Sequence, residues 1–177
     1  MHHIKTAATL VICILIMQYL HEFGHALMSK SLGYDVLMTV NKVHSSGGSG
    51  DVPLRHSILI ALAGPAVTIA LSLLAYLSRA KLGMLAPIII FNAMIMRTIA
   101  TAVSLSHPND EAWVSATLGI GMWTLPALVC GLLAGIFIAV LREEKPDWPW
   151  YLAMWAGVSI GYSAVVLGER YFPSFAF

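Results

Sequence analysis

The stretch TAATLVICILIMQYLHEFGHALMSK, residues 6–30, decides the fold class. As a helix of about 25 residues it would reach about 37 Å, enough to cross a bilayer core of about 30 Å. Its beginning, Met1 to Lys5 followed by an apolar run from Thr6 to Leu20, imitates a signal peptide. No small-residue cleavage site intervenes before HEFGH, so the segment is expected to be retained as the first transmembrane helix. Gly33, after Leu32, is a natural C-terminal stop.

The second half of this helix carries His21-Glu22-Phe23-Gly24-His25, an HExxH motif. Residues four apart share one helical face, so His21 and His25 can offer two imidazole nitrogens to a single Zn²⁺. Glu22 need not be a ligand: in zinc peptidases a glutamate so placed takes a proton from the attacking water and later delivers it to the leaving amine. Gly24 removes a side chain beside this face and lets a second helix or a substrate backbone approach. Ionisable groups inside an apolar helix are costly unless paired or metal-bound, which makes such a cluster functional by default.

Composition extends the membrane reading to the whole chain. Of 177 residues, 58% are hydrophobic and 11% charged, with a mean hydropathy of +0.78, well outside the averages of soluble domains. The net charge of +1 offers no basic footprint, and no Gly-rich phosphate loop is present, so nucleic acid is not expected as a partner. Cys13 and Cys130 sit in apolar runs without metal-ligand spacing and read as small buried hydrophobes.

Further spans are expected at 58–77, 83–105, 113–141 and 150–167, giving five with the span at 6–30. The expected fold is thus an all-α polytopic membrane protein in a single domain, residues 1–177. The fourth span is long, and Gly119, Gly121 and Pro126 are positioned to bend it or split it in two. Between the first two spans, Tyr34 to His44 is rich in β-branched residues and reads as a short strand or hairpin, followed by a Ser/Gly turn at Ser45 to Gly50. That strand is either a connector or an edge, at Val36, Met38 and Val40, able to pair with an extended substrate. Trp148, Trp150, Tyr151, Tyr171 and Phe172 suit an interfacial aromatic belt. Lys5, Arg79, Lys81, Arg142 and Lys145 on one side against Lys30, Lys42, Arg55 and Arg170 on the other leave orientation undecided.

Two histidines do not complete a catalytic zinc site, which normally has three protein ligands and one open position. The candidates for the third are Asp110, Glu111, Glu143, Glu144, Glu169, His44, His56 and His107. Asp110 is favoured, because it lies in His107-Pro108-Asn109-Asp110-Glu111, directly before the fourth span and after a third span bearing Asn92 and Arg97, polar residues that lipid does not tolerate unpaired. The competing reading makes Asn109 or Asp110 a helix cap. Arg97 acts either electrostatically in the site or as an internal partner of Asp110 or Glu111.

These residues resemble the site-2 proteases, polytopic zinc metalloproteases that cut transmembrane segments. The likeness rests on HEFGH at 21–25, the Gly-Tyr and β-rich stretch at Gly33 to His44, Ala63-Gly64-Pro65 in the following span, and an aspartate at the start of a later helix; it covers about residues 8–120. In that family the third ligand comes from an Asn-x-x-Pro-x-x-x-Leu-Asp-Gly motif. Here no Leu-Asp-Gly occurs, and Asn92 stands eighteen residues before Asp110. The resemblance implies that Ala63-Gly64-Pro65 packs against the metal helix and that Asn92 or Asn109 hydrogen-bonds the substrate carbonyl or developing oxyanion.

The expectation is therefore an intramembrane endopeptidase with one Zn²⁺ per chain, acting on transmembrane or membrane-proximal segments. It would be a multi-pass protein, of the cell membrane in a prokaryote. The sequence carries no PDZ-like insertion, so regulation is expected from substrate supply or a membrane partner. Two alternatives stand beside it: a CAAX-type membrane zinc protease taking its third ligand from Glu143, Glu144 or Glu169, and a non-catalytic metal-binding or transport protein.

Overall fold

The computed structural model describes residues 2–45 and 52–177. The elements in chain order are α1 (His2–Ser31), β1 (Val36–Met38), β2 (Val43–Ser45), α2 (Leu54–Leu77), α3 (Arg79–Leu82), α4 (Leu85–Val103), α5 (Asp110–Thr117), α6 (Thr124–Glu144) and α7 (Trp148–Gly168). A 3-10 turn at Glu169–Tyr171 and β3 (Phe175–Ala176) follow. Five helices are long and apolar enough to cross a membrane: His3–Ser31, Leu54–Leu77, Leu85–Val103, Thr124–Glu144 and Trp148–Tyr171. The fold is an all-α polytopic membrane protein with a small sheet.

Each long helix is apolar nearly all round, as expected where the outer solvent is lipid. Ile4, Ile12, Ile16, Leu20 and Leu27 of α1 face outward, while Leu10, Ile14 and Met17 turn into the bundle. Polar side chains are sorted the other way, with His21, Glu22, Thr68, Ser72, Asn92, Arg97 and Glu111 all buried. α4 is the central helix, packed against α1, α2 and α6, while α1 lies between α2 and α7. The α1–α7 contact is close because Gly157 and Gly161 lie one turn apart on α7; a Cβ on Gly161 would stand 2.5 Å from Ile14 Cδ1.

The expected fourth span, 113–141, divides in two. α5 ends at Thr117, and α6 begins at Thr124. Gly119 and Gly121, with φ of 71° and 92°, turn the chain through the left-handed region. The Ser115 hydroxyl donates to Gly121 O and accepts from Leu125 N, clasping the turn. Pro126 then falls in the first turn of α6, where its missing N–H costs nothing. The expected third span loses its first two residues, since Gly83 (φ 51°) separates α3 from α4.

The hairpin expected at 34–44 is present as β1 and β2, paired antiparallel with Leu37 opposite His44. The Ser/Gly turn expected at 45–50 falls outside the described residues, apart from Ser45 at the end of β2. One strand had no counterpart in the expectations. β3 pairs with the other side of β1, giving the order β2-β1-β3. β1 is thus a central strand, and the open edge expected at Val36, Met38 and Val40 is corrected: Val36 and Met38 belong to a doubly paired strand, and all three side chains are buried.

Candidate metal centre

The helical repeat places Gln18, His21, Glu22, His25 and Ser29 on one side of α1, where they line a cavity of about 480 Å³. α2 crosses this side closely. A Cβ on Gly24 would lie 2.9 Å from Ala63 O, and one on Gly64 would lie 2.3 Å from His25 Nε2. The Gly64 backbone therefore forms the floor beneath both imidazoles, as the resemblance implied for Ala63-Gly64-Pro65.

α2 also fixes the tautomers. His25 Nδ1 lies 2.6 Å from Ile60 O, and a carbonyl only accepts, so Nδ1 carries the proton. His21 Nδ1 lies 3.2 Å from Thr68 Oγ1, whose own hydrogen goes to Gly64 O at 3.3 Å. Thr68 is therefore left to accept from His21 Nδ1–H. With both Nδ1 atoms protonated, both Nε2 atoms present lone pairs, and they face each other at 3.2 Å.

Asp110 completes this convergence as the first residue of α5. Its Oδ2 lies 3.3 Å from His21 Nε2 and 3.7 Å from His25 Nε2. With both imidazoles neutral, these three acceptors repel one another unless a proton or a metal ion sits between them. His21, His25 and Asp110 accordingly form a group that could hold a metal ion, and among the described residues no other His/Cys/Asp/Glu group of three does so. Two neutral imidazoles and a carboxylate are a donor set suited to a borderline divalent ion.

Asp110 is held from behind. Arg97 Nη1 donates to Asp110 Oδ2 at 3.3 Å and to both Glu111 carboxylate oxygens at 3.2 Å. Asn109 N donates to Ser104 Oγ at 3.0 Å, fixing the approach to α5. Glu22 lines the same cavity, and its one described hydrogen bond is a long one from Gln18 Nε2, 3.4 Å to Oε1. Its carboxylate is thereby left available beside the cluster.

The remaining candidates divide clearly. Arg97 and Asn109 line the cavity. Asn92 does not: its amide donates to Cys13 O and Met17 Sδ and accepts from Tyr162 Oη at 3.0 Å, bonding α4 to α1 and α7. The expectation that Asn92 serves the substrate is corrected on that ground. Glu111 is taken by Arg97, Glu143 pairs with Arg79 at 2.6 Å, and Glu169 accepts from Thr39 Oγ1 at 3.0 Å. His56 bonds the Tyr34 hydroxyl at 2.7 Å. Sequence reasoning missed Thr68 and Ile60. Their signal was the spacing 60, 64, 68 on α2, which puts an apolar residue, the close-packing glycine and a hydroxyl on one helical face.

Comparison with protein-family models, with curated proteins and with solved structures finds no match to this chain.

Proposed function

We propose that this chain is a zinc-dependent intramembrane endopeptidase of site-2 protease type, cleaving transmembrane or membrane-proximal segments of other membrane proteins. The observation that carries the reading is the convergence of ligand atoms from His21, His25 and Asp110 with the carboxyl group of Glu22 in one cavity among helices long and apolar enough to span a membrane. A single Zn²⁺ held by His21, His25 and Asp110 would polarise the scissile carbonyl and make water acidic enough to react near neutral pH. Glu22 takes the proton as the water oxygen bonds to the carbonyl carbon, then passes it to the amine nitrogen as the C–N bond breaks. Thr68 and Ile60 keep both imidazoles in the tautomer that presents Nε2. Arg97 and Glu111 keep the Asp110 carboxylate aimed at them.

The substrate has to unwind locally, because a helix hides its carbonyls in its own hydrogen bonds. Helix-breaking residues near the scissile bond should favour cleavage. The protein would work as a multi-pass protein in the bilayer, the cell membrane in a prokaryote, with a membrane partner able to regulate it. The CAAX-type alternative is less supported, since among the described residues the acid grouped with His21 and His25 is Asp110 and not Glu143, Glu144 or Glu169.

The test is zinc content together with cleavage of membrane-spanning reporter peptides by purified wild type, Glu22→Gln and Asp110→Ala in liposomes. The expected result is one zinc per chain in wild type and Glu22→Gln, turnover lowered by about 10²–10⁴-fold in Glu22→Gln, and zinc lost from Asp110→Ala. Wild-type cleavage by Glu22→Gln would overturn the role given to Glu22, and stoichiometric zinc with no cleavage by wild type would overturn the protease assignment and favour a metal-binding or transport role.

A further inference from the structure

β1 carries two kinds of neighbour. On one side is β2, its own hairpin partner; on the other is β3, from more than 130 residues later in the chain. Val36 and Phe177 exchange both backbone hydrogen bonds, Val36 N to Phe177 O at 3.2 Å and Phe177 N to Val36 O at 2.9 Å. Leu37 then stands opposite Ala176 and Met38 opposite Phe175. Val36 also lines the metal cavity, as does Tyr34 two residues before it. A chain in the register of β3, continued past the partner of Val36, would run opposite Asp35 and Tyr34 and so towards that cavity.

The covering strand is short. Phe175 and Ala176 are exposed, two residues pair in register beside the doubly bonded Val36 and Phe177, and Phe177 packs against the buried Ala26, Val36 and Met38. Its other attachments are ring contacts to α1, with Phe172 and Phe175 edge-on to Tyr19 and Phe177 against Phe23, together with a bond from Tyr19 Oη to Pro173 O. Upstream, Glu169 is bonded to Thr39 and so anchors the end of α7. Residues 173–177 can therefore leave without disturbing the helix before them. Tyr19, Leu20 and Phe23 belong to the flank of α1 beside the metal-facing side; with Met38, Pro173 and Phe175 they line an apolar cavity of about 360 Å³. Leu20 and Phe23 are partly exposed, so an apolar segment reaching this flank would meet the helix that carries Glu22.

We infer that residues 173–177 are an intramolecular occupant of the docking edge for an extended polypeptide, and that a substrate segment must displace them from β1 to be held beside the metal cavity. The inference rests on the endopeptidase reading for the identity of the partner. Backbone pairing supplies sequence-independent affinity, and the apolar cavity beside it selects for apolar side chains. The strand then acts as a competitor at very high effective concentration, which keeps the edge covered until a segment with a locally broken helix arrives.

A reversible lock tests this. Leu37 and Ala176 form the non-hydrogen-bonded pair next to the doubly bonded Val36 and Phe177, a position where Cα atoms lie about 4.5 Å apart and a disulfide fits. The double variant Leu37→Cys/Ala176→Cys is prepared in zinc-loaded form on the Glu22→Gln background. Binding is read by fluorescence anisotropy in liposomes, using a labelled peptide of about 20 apolar residues with a central Gly-Pro. The expected result is binding at least tenfold weaker in the oxidised form than in the reduced form, restored by reductant, with zinc content unchanged; deletion of residues 173–177 should strengthen binding severalfold. Equal binding by oxidised and reduced forms, or no binding by the deletion variant, overturns the inference. The two readings fail separately. Peptide bound through the edge but never cleaved by wild type refutes the protease, whereas cleavage that the lock leaves untouched refutes the edge.

Discussion

Replacing Gly64 by alanine adds one methyl group at the point where α2 supports the two imidazoles. The new Cβ would lie 2.3 Å from His25 Nε2, 2.6 Å from His21 Cε1 and 2.7 Å from His25 Cε1. Non-bonded heavy atoms rest at about 3.5 Å, so the overlap with His25 Nε2 is about 1.2 Å. One imidazole has to move by about 1 Å, or α1 and α2 have to separate. Metal sites tolerate displacements of about 0.2 Å, and losing an outer-shell support alone costs about 10–100-fold in metal affinity. A loss of zinc affinity of at least about 100-fold, or about 2.7 kcal/mol, is therefore expected. Fold stability should change far less. Overpacking costs about 1–3 kcal/mol, while alanine is favoured over glycine in a helix by about 0.5–1 kcal/mol; a net loss of about 0–2.5 kcal/mol remains. The assay is chelator competition for zinc alongside thermal unfolding in detergent. Gly131→Ala serves as the control, because nothing lies within 4 Å of its added Cβ. Wild-type zinc affinity in Gly64→Ala would refute the argument that α2 sets the imidazole geometry.

Three further outcomes are expected. Thr68→Val removes the acceptor for His21 Nδ1–H and should weaken zinc by about 10–100-fold, while Thr68→Ser restores most of it; the readout is the zinc dissociation constant. Asn92→Ala breaks the bonds from α4 to α1 and α7, and unfolding measurements should show a loss of about 0.6–1.7 kcal/mol per bond with zinc affinity unchanged. Because protons compete with the metal for both imidazole nitrogens, zinc should be lost as pH falls, by about tenfold per pH unit for each nitrogen that is protonated in the metal-free protein; equilibrium dialysis at successively lower pH shows it, and zinc retained unchanged into strong acid would contradict the ligand assignment.

The parts of this molecule that were legible in the sequence are those set by local periodicity. Hydropathy located five spans because a lipid-facing helix is apolar over its whole circumference, and the four-residue spacing of His21 and His25 survives any packing arrangement. Asp110 was half legible: it follows a span bearing Asn92 and Arg97, whose polar groups need partners inside a membrane, but an acid at the start of a helix is also an ordinary cap. The break at Gly119–Trp123 was half visible. Hydropathy runs straight through it, and only the glycines and Pro126 marked it. Asn92 was misread for a general reason: inside a membrane, a polar residue bonding three helices together and one serving a substrate meet the same requirement for a partner. The covering of β1 was invisible, since Phe175 and Ala176 carry no signal for a pairing partner so far back in the chain. The same holds for the hydrogen bond from His21 to Thr68, which depends on how α1 and α2 cross.

The length of α1 bears on how deep the candidate metal centre lies. Its 30 residues extend about 45 Å, about 15 Å more than the hydrocarbon thickness. His21 stands ten residues from the C-terminal end of the helix, about 15 Å along its axis. If the surplus is shared equally between the two ends, the group of His21, His25 and Asp110 lies only about 8 Å below one boundary of the hydrocarbon layer. Tyr34, Asn41 and Lys42, from the loop and sheet region that follows this end of α1, line the same cavity. On the endopeptidase reading, water would then have a short path to Glu22, and a membrane-spanning substrate would need to melt only its last turns near that boundary, leaving the remainder of its helix undisturbed in lipid.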